Sequence, residues 1–312
     1  MSRIHEALKK AAQERMAQPG HPPVSDVIDL ATGGTAAQTT SDNREDLRVQ
    51  PAFTTAGDMW GSKFEDFARR CVRPSWKLES RSSIFSGDKG ARVISERFRT
   101  LRSRLYQIAE IQPLRSLLIT SSLPVEGKTF IANNLAQSIV RQSDRRVLLI
   151  DADLRASRLH VPLGAPGKPG LADYLRGEAN EFQITQVGPD GNLCLIPGGA
   201  SVADPIGLLH SGKMKLLLEK MSRLFDWVIV DSPPAVAVHD ASILADMCDG
   251  VIFVVRAGST DFEVAQKASL EFSNKKLIGV VLNGVAKEDS YGDYYYGYEK
   301  EDGEELKKEL ID

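Results

Sequence analysis

The sequence has no run of 18 or more apolar residues, so no helical membrane span is expected. Its first residues, MSRIHEALKK, are charged and lack the apolar centre of a signal peptide. Cysteine is scarce: Cys71, Cys194 and Cys248 stand far apart, with no Cys-x-x-Cys spacing. That excludes a disulfide framework or a zinc knuckle and leaves reduced, buried or half-buried thiols as the expectation. Neither sign of charge dominates, with 39 Lys and Arg against 42 Asp and Glu and a net charge of −3. A dedicated nucleic-acid binder needs uncompensated cations, and the chain as a whole has none, so no nucleic-acid partner is expected.

What is present is segmented. In residues 1–18, Ile4, Ala7, Leu8, Ala11 and Ala12 share one helical face and Ser2 is a suitable N-cap, predicting an amphipathic helix. Pro19, Pro22, Pro23 and the stretch ATGGTAAQTTSDN follow without a periodic apolar face, so residues 19–85 read as a largely disordered linker. A brief helical signal around Trp60, Phe64 and Phe67 interrupts it. Residues 86–287 read as one domain and 288–312 as an acidic tail. Charge divides along the same lines: residues 60–115 carry 13 Lys and Arg against 6 acids, and residues 288–312 carry 3 against 10.

Within the domain, the helical stretch ARVISERFRTLRSRLYQIAE leads into short apolar runs at 116–120, 147–150, 193–196, 227–230, 251–255 and 277–282, separated by helical patterns. Val-, Ile- and Leu-rich runs of this length suit parallel strands covered on both faces. The fold class expected is α/β, a doubly wound, mostly parallel sheet. Such sheets bind ligands at the carboxyl ends of their strands.

Three strand ends carry chemistry. The first runs into Ser121-Ser122-Leu123-Pro124-Val125-Glu126-Gly127-Lys128-Thr129, which fits G-x-x-x-x-G-K-[ST] except for Ser122 in place of the first Gly. Backbone N–H groups at a helix start make an anion nest, Lys128 adds a charge for terminal phosphates, and Thr129 can ligate Mg²⁺. The second ends in Asp151-Ala152-Asp153, two carboxylates that need a neutralising cation. The fourth ends in Asp231-Ser232-Pro233-Pro234, an Asp placed to hold a Mg²⁺ hydration shell. Together they predict a Mg–ATP site of the phosphate-loop NTPase type. Beyond the domain, five of the seven tyrosines, Tyr291, Tyr294, Tyr295, Tyr296 and Tyr298, crowd one short segment. A tyrosine-rich tail beside an ATP site suggests a phosphate acceptor; a partner-docking aromatic patch or a low-complexity sticker are the other readings.

On these motifs the chain resembles the bacterial tyrosine kinases, the cytoplasmic autokinases of exopolysaccharide and capsule assembly, and among them the type encoded at exosortase-linked loci. S-x-x-P-x-E-G-K-T at 121–129, LLIDADLR at 148–155, VIVDSPP at 228–234 and GVVLNGV at 279–285 carry the resemblance, with the helix start SRIHEALKKA. It implies a variant phosphate loop of the ParA/MinD-like kind, in which Ser122, Pro124, Val125, Glu126, Gly127, Lys128, Thr129 and Phe130 meet the nucleotide and Asn283 lies near its base. It implies catalysis by Lys128, Asp151, Asp153 and Asp231, with Thr129, Asp153 and Asp231 toward the metal and Asp151 as the group that receives the incoming phenol. Glu96, Arg99 and Arg102 match the ring-forming motif E-x-x-R-x-x-R; by spacing alone they share one polar helix face. The resemblance further implies autophosphorylation of the tail in trans within a ring, a separate membrane-spanning co-polymerase that recruits the chain to the inner face of the membrane, and a tyrosine phosphatase as partner. Two readings compete. An ATPase switch of the septum-positioning or partition type would carry a Lys where this loop has Leu123, and a pseudokinase scaffold would bind nucleotide without transfer.

Overall fold

The computed structural model describes residues 57–77, 84, 89–142, 144–274 and 276–285. The expected helix at 1–18 and the tail at 288–312, with all five cluster tyrosines, lie outside them. The six apolar runs are strands: β1 (Ser116–Ser121), β2 (Val147–Asp151), β4 (Leu193–Ile196), β5 (Trp227–Asp231), β6 (Gly250–Arg256) and β7 (Leu277–Asn283). A two-residue strand, β3 (Gln186–Val187), joins them antiparallel to β4. The order is β3-β4-β2-β5-β1-β6-β7, parallel apart from β3.

Alternate side chains feed two cores, as a sheet covered on both faces requires. Leu148 and Ile150 face one, with Leu118 and Val230; Val147 and Leu149 face the other, with Leu117 and Ile119. The second core is closed by helix α2 (Lys89–Ile111), whose Phe98, Leu101 and Leu105 recur at helical spacing and are buried against α3 (Lys128–Val140). Helix α3 starts at the phosphate loop and is buried along nearly its whole length. That is why its sequence, KTFIANNLAQSIV, shows little amphipathic contrast.

The expected linker at 19–85 is corrected at its far end. Helix α1 (Gly57–Arg70) buries Phe64, Phe67 and Ala68 in the first core, and Phe64 meets Phe225 edge-on at 5.3 Å. Beyond the helix, Val72 bridges to Gln186 at the sheet edge and Trp76 is buried. Residues 57–77 are therefore packed on the sheet domain, because the phenyl groups find partners far along the chain.

The remaining helices cover the sheet: α4 (Leu171–Arg176), α5 (Glu181–Ile184), α6 (Pro205–Leu209), α7 (Lys213–Met221), α8 (Asp240–Met247) and α9 (Phe262–Leu270). All three cysteines are free thiols and buried, as expected. No helix among the described residues is long and apolar enough to cross a membrane.

Candidate functional site

Strands β1, β5 and β2 are neighbours, so the phosphate loop and both aspartate motifs meet at one edge of the sheet. Asp151 and Asp231 are register partners across β2 and β5, and Ile119 of β1 pairs with Asp231. The chain after β5 is tied to the loop's entry: Ser232 Oγ donates to the Ile119 carbonyl at 3.0 Å, and the Ala235 N–H donates to the Ser121 carbonyl at 2.8 Å.

The loop is held in a demanding conformation. Val125 has φ 67°, which a β-branched residue adopts only under constraint, and Gly127 has φ 99°. Three groups impose the constraint. The Glu126 side chain turns inward, 2% exposed, and accepts from the Leu123 N–H at 2.5 Å, from Ser122 Oγ at 3.3 Å and from the Thr260 hydroxyl. Arg256 donates a guanidinium N–H to the Val125 carbonyl at 3.1 Å. Asn283 Nδ2 donates to the Glu126 carbonyl at 2.8 Å. Asn283 also explains Gly127, since a Cβ there would stand 2.1 Å from Nδ2.

The expected nucleotide-binding residues thus divide. Ser122 and Glu126 are buried, and their side chains support the loop from within. The Phe130 ring packs edge-on against Phe98 at 6.1 Å, leaving its backbone to the loop. Pro124 and Val125 are exposed at the tip, above a concavity of about 320 Å³ also lined by Leu123, Arg256 and Thr260. Lys128, 8% exposed, lies close enough to Asp231 for their charges to interact.

Thr129 Oγ1 donates to Asp231 Oδ2 at 2.6 Å. The other oxygen, Asp231 Oδ1, is buried and has no hydrogen-bond partner among the described residues. An unpaired buried carboxylate oxygen is costly, and a cation is what satisfies it. Burial, followed by the charge of Asp151, pushes the Asp231 carboxyl well above the usual carboxylate range; Thr129 and Lys128 pull it only part of the way back. A hydroxyl and a carboxylate beside a phosphate nest fit Mg²⁺, which keeps several waters and binds through few protein oxygens plus phosphates, while the Lys128 ammonium suits the phosphates themselves.

Asp151 and Asp153 take different places. Asp151 has no exposure and accepts three hydrogen bonds, from Ser157 Oγ at 2.7 Å, the Leu159 N–H at 2.9 Å and the Asp153 N–H at 3.2 Å. Burial still raises its pKa, against those donors. Asp153 is half-buried and accepts from the Ala156 N–H at 2.9 Å. In this structure the carboxylate open to an incoming group is therefore Asp153, whereas Asp151, expected to meet the phenol, organises the loop beneath it.

Of the expected interface residues, Glu96 and Arg99 form an exposed ion pair. Arg102 departs from them: it donates to the Ser138 carbonyl at 2.5 Å, satisfying an acceptor in the last turn of α3. Sequence reasoning missed Ser157, Asp240, Arg256 and Thr260. Arg155, at the end of the second motif, grips the fully buried Asp240 of α8 with two N–H groups at 3.0 and 3.2 Å, joining the β2 and β5 loops. Asp240, Arg256 and Thr260 lie 85 or more positions from their partners, too far for spacing to reveal them, whereas Ser157, six positions from Asp151, carries no motif of its own.

Residues 125–311 match the CobQ/CobB/MinD/ParA nucleotide binding domain family. The chain is 36% identical over 207 residues to the tyrosine-protein kinase YwqD of Bacillus subtilis, covering 65% of this chain and 86% of that one. It is 36% identical over 182 residues to the tyrosine-protein kinase CpsD of Streptococcus agalactiae, covering 57% and 79% respectively. Against the tyrosine-protein kinase etk of Escherichia coli it is 35% identical over 202 residues, 64% of this chain but 28% of that longer protein. Among solved structures, the kinase domain of Escherichia coli tyrosine kinase ETK superposes with a TM-score of 0.59 at 33% identity, covering 62% of this chain and 76% of that one. The chimerical protein CapA2B2 superposes with a TM-score of 0.62 at 26% identity, covering 72% and 99%.

Proposed function

Since the chain belongs to the bacterial tyrosine-protein kinases built on the CobQ/CobB/MinD/ParA nucleotide-binding domain, we propose that its acceptors are its own tail tyrosines, Tyr291, Tyr294, Tyr295, Tyr296 and Tyr298, and that its phosphate donor is ATP. The observation that carries this reading is the meeting of Lys128, Thr129, Asp231 and Asp153 at adjacent strand ends. The loop N–H groups and Lys128 hold the β- and γ-phosphates. When bound, Mg²⁺ spreads charge from those phosphates, and Thr129 and Asp231 are the residues that would hold it. Asp153 orients the phenol and takes its proton as the phenolic oxygen bonds to the γ-phosphorus and the bond to the ADP oxygen breaks. A phenol with a pKa of about 10 needs only partial proton removal in a loose transition state, so position and charge matter most.

The tail is delivered by a second copy in a ring held through the face that carries Glu96 and Arg99. Phosphorylation then changes tail charge by about −1.5 to −2 per tyrosine, resets docking and regulates exopolysaccharide polymerisation and export. A separate membrane-spanning co-polymerase recruits the chain to the inner face of the membrane, and a tyrosine phosphatase resets it. Incubation with Mg–ATP and peptide mapping tests the transfer. Phosphate on residues 291–298 that vanishes in Lys128→Met supports it, and ADP release with an unmodified tail overturns it in favour of an ATPase switch.

A further inference from the structure

A second concavity, about 430 Å³, opens beside the Asp151–Asp153 strand end and is lined by Arg155, Ser157, Arg158, His160, Lys168 and Ser201, among others. No carboxylate is among its lining residues. Its cations are not equivalent. The Arg155 guanidinium is committed to Asp240. Arg158 and Lys168 are exposed, and their side chains have no partner among the described residues. His160 is held against Gly167, where a Cβ would stand 2.9 Å from Nε2, and its buried Nδ1 has no hydrogen-bond partner among the described residues. Among the described residues the surplus is therefore two cations without partners, with hydroxyls and glycine backbone around them, a receptor for carboxylates or phosphates.

Its place in the sheet says what reaches it. Residues 155–160 follow β2, and Gly199 and Ser201 follow β4, on the side of β2 away from the phosphate loop. Neighbouring strands lie about 4.8 Å apart, so two to three spacings, roughly 10–14 Å, separate it from the loop. An extended peptide advances about 3.3 Å per residue and covers the gap in three or four. In the tail, Tyr298 is followed by Glu299, Glu301, Asp302, Glu304 and Glu305.

We propose that this concavity is an acidic-peptide subsite that holds the carboxylates following the acceptor tyrosine in the tail of a second copy. Tyrosines with acids on their C-terminal side are then the preferred substrate class, and Tyr298 is the first of the cluster to be modified. The inference rests on the tail-acceptor reading above.

The test uses the full-length chain and a fluorescent peptide of residues 294–305. Three forms are compared: native, neutral (Glu299→Gln, Glu301→Gln, Asp302→Asn, Glu304→Gln, Glu305→Gln) and reversed, with Lys at those five positions. Anisotropy should show the native form binding about tenfold tighter than the neutral one, the worth of two modest ion pairs. Arg158→Glu with Lys168→Glu should abolish that advantage and bind the reversed peptide better than the parent does. Arg158→Gln with Lys168→Gln should lose the preference without reversing it. Equal binding of native and neutral peptides, or no effect of either double variant, overturns the subsite. Phosphate transfer, measured in parallel, reports separately on the kinase reading, because binding is scored without turnover. In a time course on the whole chain, Tyr298 should be modified before Tyr291; the reverse order also contradicts the proposal.

Discussion

Thr129 and Asp231, 102 positions apart, share a hydrogen bond of 2.6 Å at the point where the phosphate loop passes the end of β5. The bond uses one carboxylate oxygen and leaves the other buried and without a partner among the described residues. Asp231→Asn should therefore lower affinity for Mg–nucleotide more than tenfold, a change titration calorimetry resolves, while affinity measured with EDTA present changes little. A metal-independent loss in both conditions would place Asp231 on the nucleotide itself.

Asp231 and its register partner Asp151 set a pH dependence. Burial holds both Asp231 and Asp151 above the usual carboxylate range, so the fold binds protons that the unfolded chain, with carboxyls near pKa 4, has already released. Stability of the nucleotide-free protein should fall as pH rises from about 4 through the raised values. Asp231→Asn should flatten that fall, and its melting temperature at pH 8 should exceed the parent's. A parent protein that gains stability over this range would contradict the buried-carboxylate account.

The phosphate loop depends on residues outside its motif. Gly127→Ala brings a Cβ within 2.1 Å of Asn283 Nδ2 at φ 99°, so nucleotide binding should be lost by calorimetry. Asn283→Ala removes the obstruction and the donor to the Glu126 carbonyl together. The double variant should recover the fold but not full affinity, because the left-handed residue still costs about 1–2 kcal/mol. Full recovery would reduce Asn283 to a steric neighbour.

Much of this architecture was legible in the sequence for a definite reason. Six strands are short Val-, Ile- and Leu-rich runs, so the apolar pattern located them, and three of them lead into the polar motifs that hold Lys128, Asp151 and Asp231. Helix α1 was legible only as a faint signal, because Phe64 and Phe67 are ordered by Phe225 and Phe182, more than 100 residues away. The two residues of β3 are too few for any pattern. The groups that hold the loop, Glu126 with Thr260 and Asn283 with the Glu126 carbonyl, are tertiary pairs that no local spacing encodes. Arg102 sits on the polar face that spacing predicted, yet its partner is the Ser138 carbonyl of the same chain.

Helix α1 and Arg102 lead to a paired prediction about stability and assembly. Phe64→Ala should cost about 3–5 kcal/mol in denaturant unfolding, as a buried aromatic truncation does. Arg102→Ala should cost about 1–2 kcal/mol, from an orphaned acceptor. Glu96→Ala with Arg99→Ala should leave unfolding within about 0.5 kcal/mol of the parent, since exposed ion pairs contribute little. The same double variant should sediment as a smaller species than the parent. A variant that keeps the parent's sedimentation would remove this face from the assembly.

The central claim is tyrosine autophosphorylation by the Lys128, Thr129, Asp231 and Asp153 site. Its most direct test mixes Lys128→Met chains, isotope-labelled and intact in the tail, with unlabelled parent chains and Mg–ATP, followed by peptide mass spectrometry. The account predicts phosphate on labelled residues 291–298, delivered in trans, and none when every chain carries Lys128→Met. Phosphate confined to unlabelled tails would contradict transfer between copies. Unmodified tails on both, with ATP consumed, would contradict the autokinase itself.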